Sequence, residues 1–168
     1  MPSPSSRHLL APAIGALLGV AALAAPGLAG AAETNRWITP RTWTIAHQGG
    51  ARELPSNPLY GIKRAVRGGA DMLELAVGVT RDDKVVVMHA TPVDRVTTGH
   101  GLISRMTLAQ LRRLDGAYWF RGRTRHYARG YPRSAYRFRG VATGDRRPPS
   151  GYRASDFRVA TLSEVLRA

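Results

Sequence analysis

From Asp71 onward the chain alternates, so that Met72, Glu74, Ala76 and Gly78 share one face of a strand while Leu73, Leu75, Val77 and Val79 share the other. The second set is uniformly apolar, and the first carries one carboxylate. A second β-rich run, Val85 to Met88, follows after Asp82-Asp83, two turn formers. So short a connection excludes a parallel crossover and predicts an antiparallel hairpin. With Asp82 and Asp83 as its central pair, His89 is expected opposite Ala76 and diagonal to Glu74, within reach of a shared ligand.

Upstream, Trp43 to Ala46 is a short β-prone run that ends in His47-Gln48-Gly49-Gly50, where the glycines allow a sharp turn or a close backbone approach. Asn57 reads as a helix N-cap with Pro58 at the first helical position. Leu59, Ile62 and Val66 then recur at helical spacing until Gly68-Gly69 stops the helix. Strand, helix and strand make a βαβ unit, which predicts parallel pairing of the first two strands with His47 and Glu74 at or near their C-terminal ends. His47, Glu74 and His89 are thereby expected to converge. Arg105 to Asp115 fits a short helix capped by Thr107, with Leu108, Leu111 and Leu114 on one side. From Ala117 to Phe157 no period persists, and no internal repeat is apparent.

Charge adds an anionic partner. The formal net charge is +14, and Arg121 to Arg158 holds 11 arginines against Asp145 and Asp156. Phospholipid headgroups or phosphate-bearing wall polymers suit such a surface better than nucleic acid, given the export signal described next. Met1 to Ala31 has a polar start at Arg7 and His8, an apolar run from Leu9 to Leu23, and small residues at Ala29-Gly30-Ala31. This is the pattern of a removable signal peptide, and it implies an exported protein, secreted or associated with the cell wall. No later segment is long enough to cross a bilayer. Without cysteine there is neither disulfide nor thiolate ligand, so a metal would be held by oxygen and imidazole. Residues 32–168 suffice for one modest domain.

The stretch IAHQGGARELPSNPLYGIKRAVRGGADMLELAVGVTRDDKVVVMHATPVDRVTTGHG resembles the amino-terminal part of the glycerophosphodiester phosphodiesterase family, of the phospholipase-C-like phosphodiesterase superfamily. The family pattern runs His-Arg-Gly, Pro-Glu-Asn-Thr, Gly-Ala-Asp, Glu-Leu-Asp-Val, Thr-x-Asp-Gly, His-Asp and Asp-Arg-Thr-Thr, and this chain keeps its order and spacing. The likeness covers Thr42 to Phe120 and, in Thr161 to Leu166, the helix before a further barrel strand. It implies an α/β fold, a (β/α)8 TIM barrel that is partial here and truncated after the first βα units, since a full barrel needs about 250 residues. It also implies metal-dependent hydrolysis of glycerophosphodiesters to an alcohol and glycerol 3-phosphate. His47 and His89 would be the catalytic acid and base, Glu74 a ligand to Ca2+ or Mg2+, and Gln48 a weakened contact to the substrate phosphate.

Four positions depart from that pattern. Gln48 replaces an arginine, Pro55-Ser56-Asn57-Pro58 lacks the glutamate of its motif, Ala76 stands for the second metal ligand, and Ala90 for the aspartate after the second histidine. Loss of groups that merely orient ligands costs about 10- to 100-fold in affinity or activity. The expectation is therefore a family member of weak or lost activity, with a non-catalytic exported remnant or anion-binding module as the alternative. Apolar strand faces left uncovered in a partial barrel predict self-association. Two readings fit the basic 117–157 insertion: a loop that grips an anionic headgroup over the site, or a segment packed on the barrel rim with solvated arginines. Asp71 and Arg95 read as residues of structural pairing or strand termination rather than of chemistry, and Asp94 and Gly99 as shaping the loop beyond the hairpin.

Overall fold

The computed structural model describes residue 38 and residues 40–89, 92–122 and 126–168. The expected signal peptide and Ala90 lie outside them. The chain divides into two compact units, Met1–Pro40 and Arg41–Ala168, and every element named below belongs to the second. Its strands are β1 (Ile45–His47), β2 (Met72–Glu74), β3 (Val77–Val79) and β4 (Val85–Val87), and its helices α1 (Leu59–Arg67), α2 (Leu108–Leu111) and α3 (Leu162–Leu166). Among the described residues these strands form two two-stranded sheets and no closed barrel. No helix there is long and apolar enough to cross a membrane.

β1 and β2 pair in parallel as the βαβ pattern requires, with Ile45 opposite Met72 and His47 opposite Glu74. The crossover helix α1 buries Tyr60, Gly61 and Ile62 and ends at Gly68, whose N–H returns to the Arg64 carbonyl. Val66, expected on the core side, is exposed. Asn57 is not the N-cap. That place is taken by Pro58, which gives no side-chain hydrogen bond, while the Asn57 amide oxygen accepts the His89 backbone N–H at 2.9 Å.

The single alternating strand from Met72 to Val79 is two strands with opposite phase. Leu73 and Leu75 pack inward against Ile62, Val87 and Ala160, yet Val77 and Val79 are each 53 % exposed. Gly78 explains the reversal. A Cβ there would come 3.1 Å from Ile103 Cδ1, so a bare inward position on β3 lets Ile103 pack closely against the strand. Ile45, Met72 and Val85 also face outward.

The hairpin is antiparallel as expected, but its register is one residue off the expectation, with Val77 opposite Val87 and Val79 opposite Val85. Thr80 N–H donates to the Lys84 carbonyl at 3.0 Å, which closes a loop over 81–83 with Asp83 at φ 56°. A three-residue loop ending in a left-handed residue has replaced the two-residue turn. Asp82 secures it, accepting from the Thr80 hydroxyl at 2.6 Å and from the Leu108 N–H at 2.9 Å. Met88, rather than His89, therefore meets Ala76, through a 2.9 Å bond to its carbonyl.

The helix expected over 105–115 is shorter. A 3-10 turn at Ile103–Arg105 precedes α2, and Thr107 with Gln110 forms a capping box. α3 begins with the same device, from Thr161 and Glu164. Burial pushes the Glu164 carboxyl up, but the Thr161 N–H and hydroxyl and the Arg112 guanidinium outweigh it and leave the group below its ordinary range. The chain leading into α3 closes the fold, since Val86 bridges Thr161 and Pro58 bridges Val159.

The aromatic insertion supplies core. Tyr60 of α1 stacks on Phe157 at 4.4 Å between ring centroids and meets Phe138 at 5.0 Å and Tyr152 at 4.7 Å. Asp115 pins the insertion from beneath. Fully buried, it accepts the Ala117 N–H at 2.9 Å and the Gly140 N–H at 2.7 Å. Desolvation raises its pKa above the ordinary 3.8, against the pull of those two donors. The folded chain thus holds the Asp115 proton more tightly than the unfolded chain. Stability from this group is fully present below the unfolded value and lost as pH rises through the raised folded one. Urea denaturation from about pH 3 to about pH 7 should show the stability difference, wild type minus Asp115→Asn, falling as pH rises. A difference that grows with pH would contradict a raised Asp115 pKa.

Candidate functional site

His47 and Glu74 close the C-terminal ends of β1 and β2, paired directly across the sheet. Cross-strand partners present their side chains on one face, and His47 Nε2 lies 3.5 Å from Glu74 Oε2 with both side chains substantially exposed. That separation is an ion-pair contact rather than a hydrogen bond. The same oxygen accepts the Gln48 backbone N–H at 2.9 Å. Gln48, Gly49 and Gly50 follow with φ of 49°, 71° and 92°, and the turn is held by bonds from the Gly50 and Ala51 N–H groups to the His47 carbonyl. A non-glycine residue in that region is uncommon and strained, so the carboxylate holds Gln48 in a conformation that the chain alone disfavours. Gln48 is itself 7 % exposed; its described contribution is a backbone donor to Glu74.

His89 is anchored by a separate set of contacts. It follows β4, and its backbone is fixed by Asn57, a residue 3 % exposed with φ 86°. Among the described residues the buried Asn57 Nδ2 has no hydrogen-bond partner. The His89 ring faces Arg95, whose Nη2 is 2.9 Å from Nδ1. Among the described residues the direct contact within the expected trio is the one between His47 and Glu74, and no hydrogen bond or ion pair joins either of them to His89.

A divalent cation does not fit these residues. Glu74 Oε2 already serves Gln48 and His47, Ala76 offers a methyl where a second carboxylate is needed, and among the described residues no three His, Asp or Glu side chains come together. Calcium takes six to eight oxygen ligands, and magnesium demands near-octahedral geometry. His47 opens instead on a cleft of about 550 Å³ that also has Arg52, Glu53 and Arg64 in its walls.

The basic insertion rests on the loops that leave the two histidines. Tyr127 donates its hydroxyl to the Ser56 carbonyl at 2.9 Å, Trp119 Nε1 to Thr97 at 2.9 Å and Arg129 Nη2 to the Asp94 carbonyl at 2.5 Å. Burial drives the Tyr127 hydroxyl pKa far up, so it remains a donor. The arginines are largely engaged within the segment. Arg139 lies 3.7 Å over Tyr136 and Arg121 3.3 Å over Tyr131, while Arg146 Nη1 donates to the carbonyls of Tyr136 and Arg137. These contacts favour a packed segment over the headgroup grip, but with these arginines engaged on rings and carbonyls rather than solvated as the packed-rim reading expected. Two further expectations hold, since Arg41 pairs with Asp71 at 2.7 Å and Asp94 shapes its loop by accepting the Gly101 N–H and meeting His100; Arg95, expected as a pairing residue, meets the His89 ring rather than a carboxylate.

A family model described as the glycerophosphoryl diester phosphodiesterase family matches residues 47–168. The chain is 40 % identical over 80 residues to a glycerophosphodiester phosphodiesterase of Caldanaerobacter subterraneus subsp. tengcongensis, which covers 48 % of this chain and 33 % of that protein. It is 32 % identical over 103 residues to one from Bacillus subtilis, covering 61 % and 35 %. The chain thus spans about a third of the length of these relatives. Among solved structures, a glycerophosphoryl diester phosphodiesterase domain from Mycobacterium tuberculosis superposes with a TM-score of 0.56 at 22 % identity, covering 76 % of this chain and 40 % of that one. An Oleispira antarctica phosphodiesterase in complex with its product sn-glycerol-3-phosphate gives 0.53 at 23 %, covering 75 % and 39 %. At these identities the structures speak for the fold alone: the neighbours are of TIM-barrel type, and the described residues here form an α/β arrangement with no closed barrel.

The Glu74 contact yields a direct expectation. Glu74→Ala should expose the Gln48 amide, raising its hydrogen-exchange rate severalfold while α1 keeps its protection, and should cost about 1 kcal/mol by urea denaturation. An unchanged Gln48 amide would show that the carboxylate does not hold the turn.

Proposed function

The chain belongs to the glycerophosphoryl diester phosphodiesterase family, and from that membership we propose that it carries the amino-terminal part of the family's site in a weakened form. Its substrate class is a glycerophosphodiester, cleaved to an alcohol and glycerol 3-phosphate, with turnover weak or lost. The observation that carries the reading is the His47–Glu74 pair at the ends of two parallel strands, where a histidine able to move a proton stands against a carboxylate. His89 is the second proton-handling group, its backbone held by Asn57. Gln48 keeps hydrogen-bonding capacity but lacks the charged fork suited to phosphate.

The weakening follows from the donor set. Glu74 alone does not build a cation site, and the position that would complete it on the same stretch is Ala76. The residues present therefore support no catalytic step that runs through a cation. The charge pattern of residues 1–31 supports export as part of this reading, and the outward-facing Ile45, Val77 and Val79 support self-association.

Restoring Ala76→Asp, Ala90→Asp and Gln48→Arg together tests the proposal. With glycerophosphocholine as substrate, the triple variant should release glycerol 3-phosphate in a cation-dependent reaction at least tenfold faster than the parent, in line with the 10- to 100-fold scale of such groups. A folded triple variant with no gain would sink the idea of a latent site and leave the non-catalytic alternative.

A further inference from the structure

Arg95 sits in the 3-10 turn Val93–Arg95, and its Nη2 lies 2.9 Å from His89 Nδ1. A guanidinium has only donors and stays charged, so this contact is a hydrogen bond only when Nδ1 presents its lone pair. The imidazole proton must then reside on Nε2. Among the described residues Arg95 has no ion pair with a carboxylate, and the His89 ring is its hydrogen-bond partner. The surrounding geometry agrees. The His89 backbone is anchored independently by the buried Asn57 amide, which leaves ring rotation as the freedom that Arg95 removes.

We propose that Arg95 is a positioning residue that locks His89 in the Nε2–H tautomer and fixes the orientation of its ring. It does so in a chain whose residue 90 is alanine and so cannot supply an orienting carboxylate. A carboxylate on Nδ1 would demand a proton there and leave Nε2 as the acceptor in the neutral ring. A guanidinium imposes the opposite polarity. His89 thereby presents a proton at Nε2 and is the proton donor of the pair, while His47, beside Glu74, is the group placed to accept one. This assignment of roles rests on the functional reading above; the tautomer itself does not.

The test is long-range 1H–15N correlation of the histidine rings in the uniformly 15N-labelled full chain, with His89 assigned by its loss in His89→Gln. In the wild type, Nε2 should carry the proton, and Nδ1 should show the upfield shift of an acceptor nitrogen. Arg95→Met should move the Nδ1 resonance downfield, to the position of an unbonded neutral ring, and let the second tautomer appear; Arg95→Lys should restore the wild-type pattern at least in part. A wild-type proton on Nδ1, or a His89 pattern indifferent to Arg95→Met, would overturn the proposal. Should Arg95→Met disturb the backbone spectrum, the wild-type tautomer and the Arg95→Lys response decide the matter. The readout needs no turnover. An inactive chain with an Arg95-dependent Nε2–H ring would uphold the role of Arg95 and count against hydrolysis, and an active chain with Nδ1–H would do the reverse.

Discussion

One oxygen of Glu74 carries the local architecture on which the candidate site depends. It accepts the Gln48 N–H at 2.9 Å and stands 3.5 Å from His47 Nε2, so a single carboxylate ties the end of β2 to the turn after β1. Gln48, Gly49 and Gly50 are all left-handed there, and Gly49 in addition lies where a Cβ would come 3.1 Å from Ile62 Cγ1. The bare position lets helix α1 pack closely against the turn. The turn, the helix and the parallel register are therefore one constraint. An oxygen spent on holding a backbone amide and a histidine is also less available to a cation, and with Ala76 on the same stretch the site lacks the second carboxylate that would compensate.

The rest of the unit holds that arrangement from outside. Asp115 binds both limbs of the insertion through the Ala117 and Gly140 amides, and the Tyr60–Phe157 stack joins the insertion to α1. Lys63 adds a 2.8 Å contact to Asp156 across the same boundary. Through Tyr127, Trp119 and Arg129 the segment then reaches the loops beyond His47 and His89. Arg121 and Arg139 stacked on tyrosine rings and Arg146 bonded to carbonyls brace the segment from within, so part of its positive charge serves packing.

Sequence periodicity gave access to what depends on local pattern. The βαβ unit, its parallel pairing and the meeting of His47 with Glu74 were legible because strand alternation, a helical apolar stripe and the Gly68-Gly69 stop all agree. The misreadings arise where one residue's backbone or size decides. Asp83 adopts φ 56° and lengthens the hairpin loop by one residue, and a one-residue change of register moves every later side chain to the other face. Gly78 turns inward because Ile103 needs the space, a tertiary demand invisible in the alternation of Met72 to Val79. Asn57 looked like a helix cap, since asparagine before proline fits that role, but its amide serves a histidine 32 residues away. The contact of Arg95 with His89 spans a loop with no periodic signal and depends on the folded path of the chain.

The central claim is that Glu74 and its neighbours form a proton-handling pair without a working cation site. A thermal unfolding curve of the full chain with and without millimolar calcium or magnesium tests it most directly, because a ligand that binds only the folded form raises the midpoint. The expected result is a cooperative transition whose midpoint either cation leaves in place. An upward shift that grows with cation concentration and disappears in Glu74→Ala would contradict the claim.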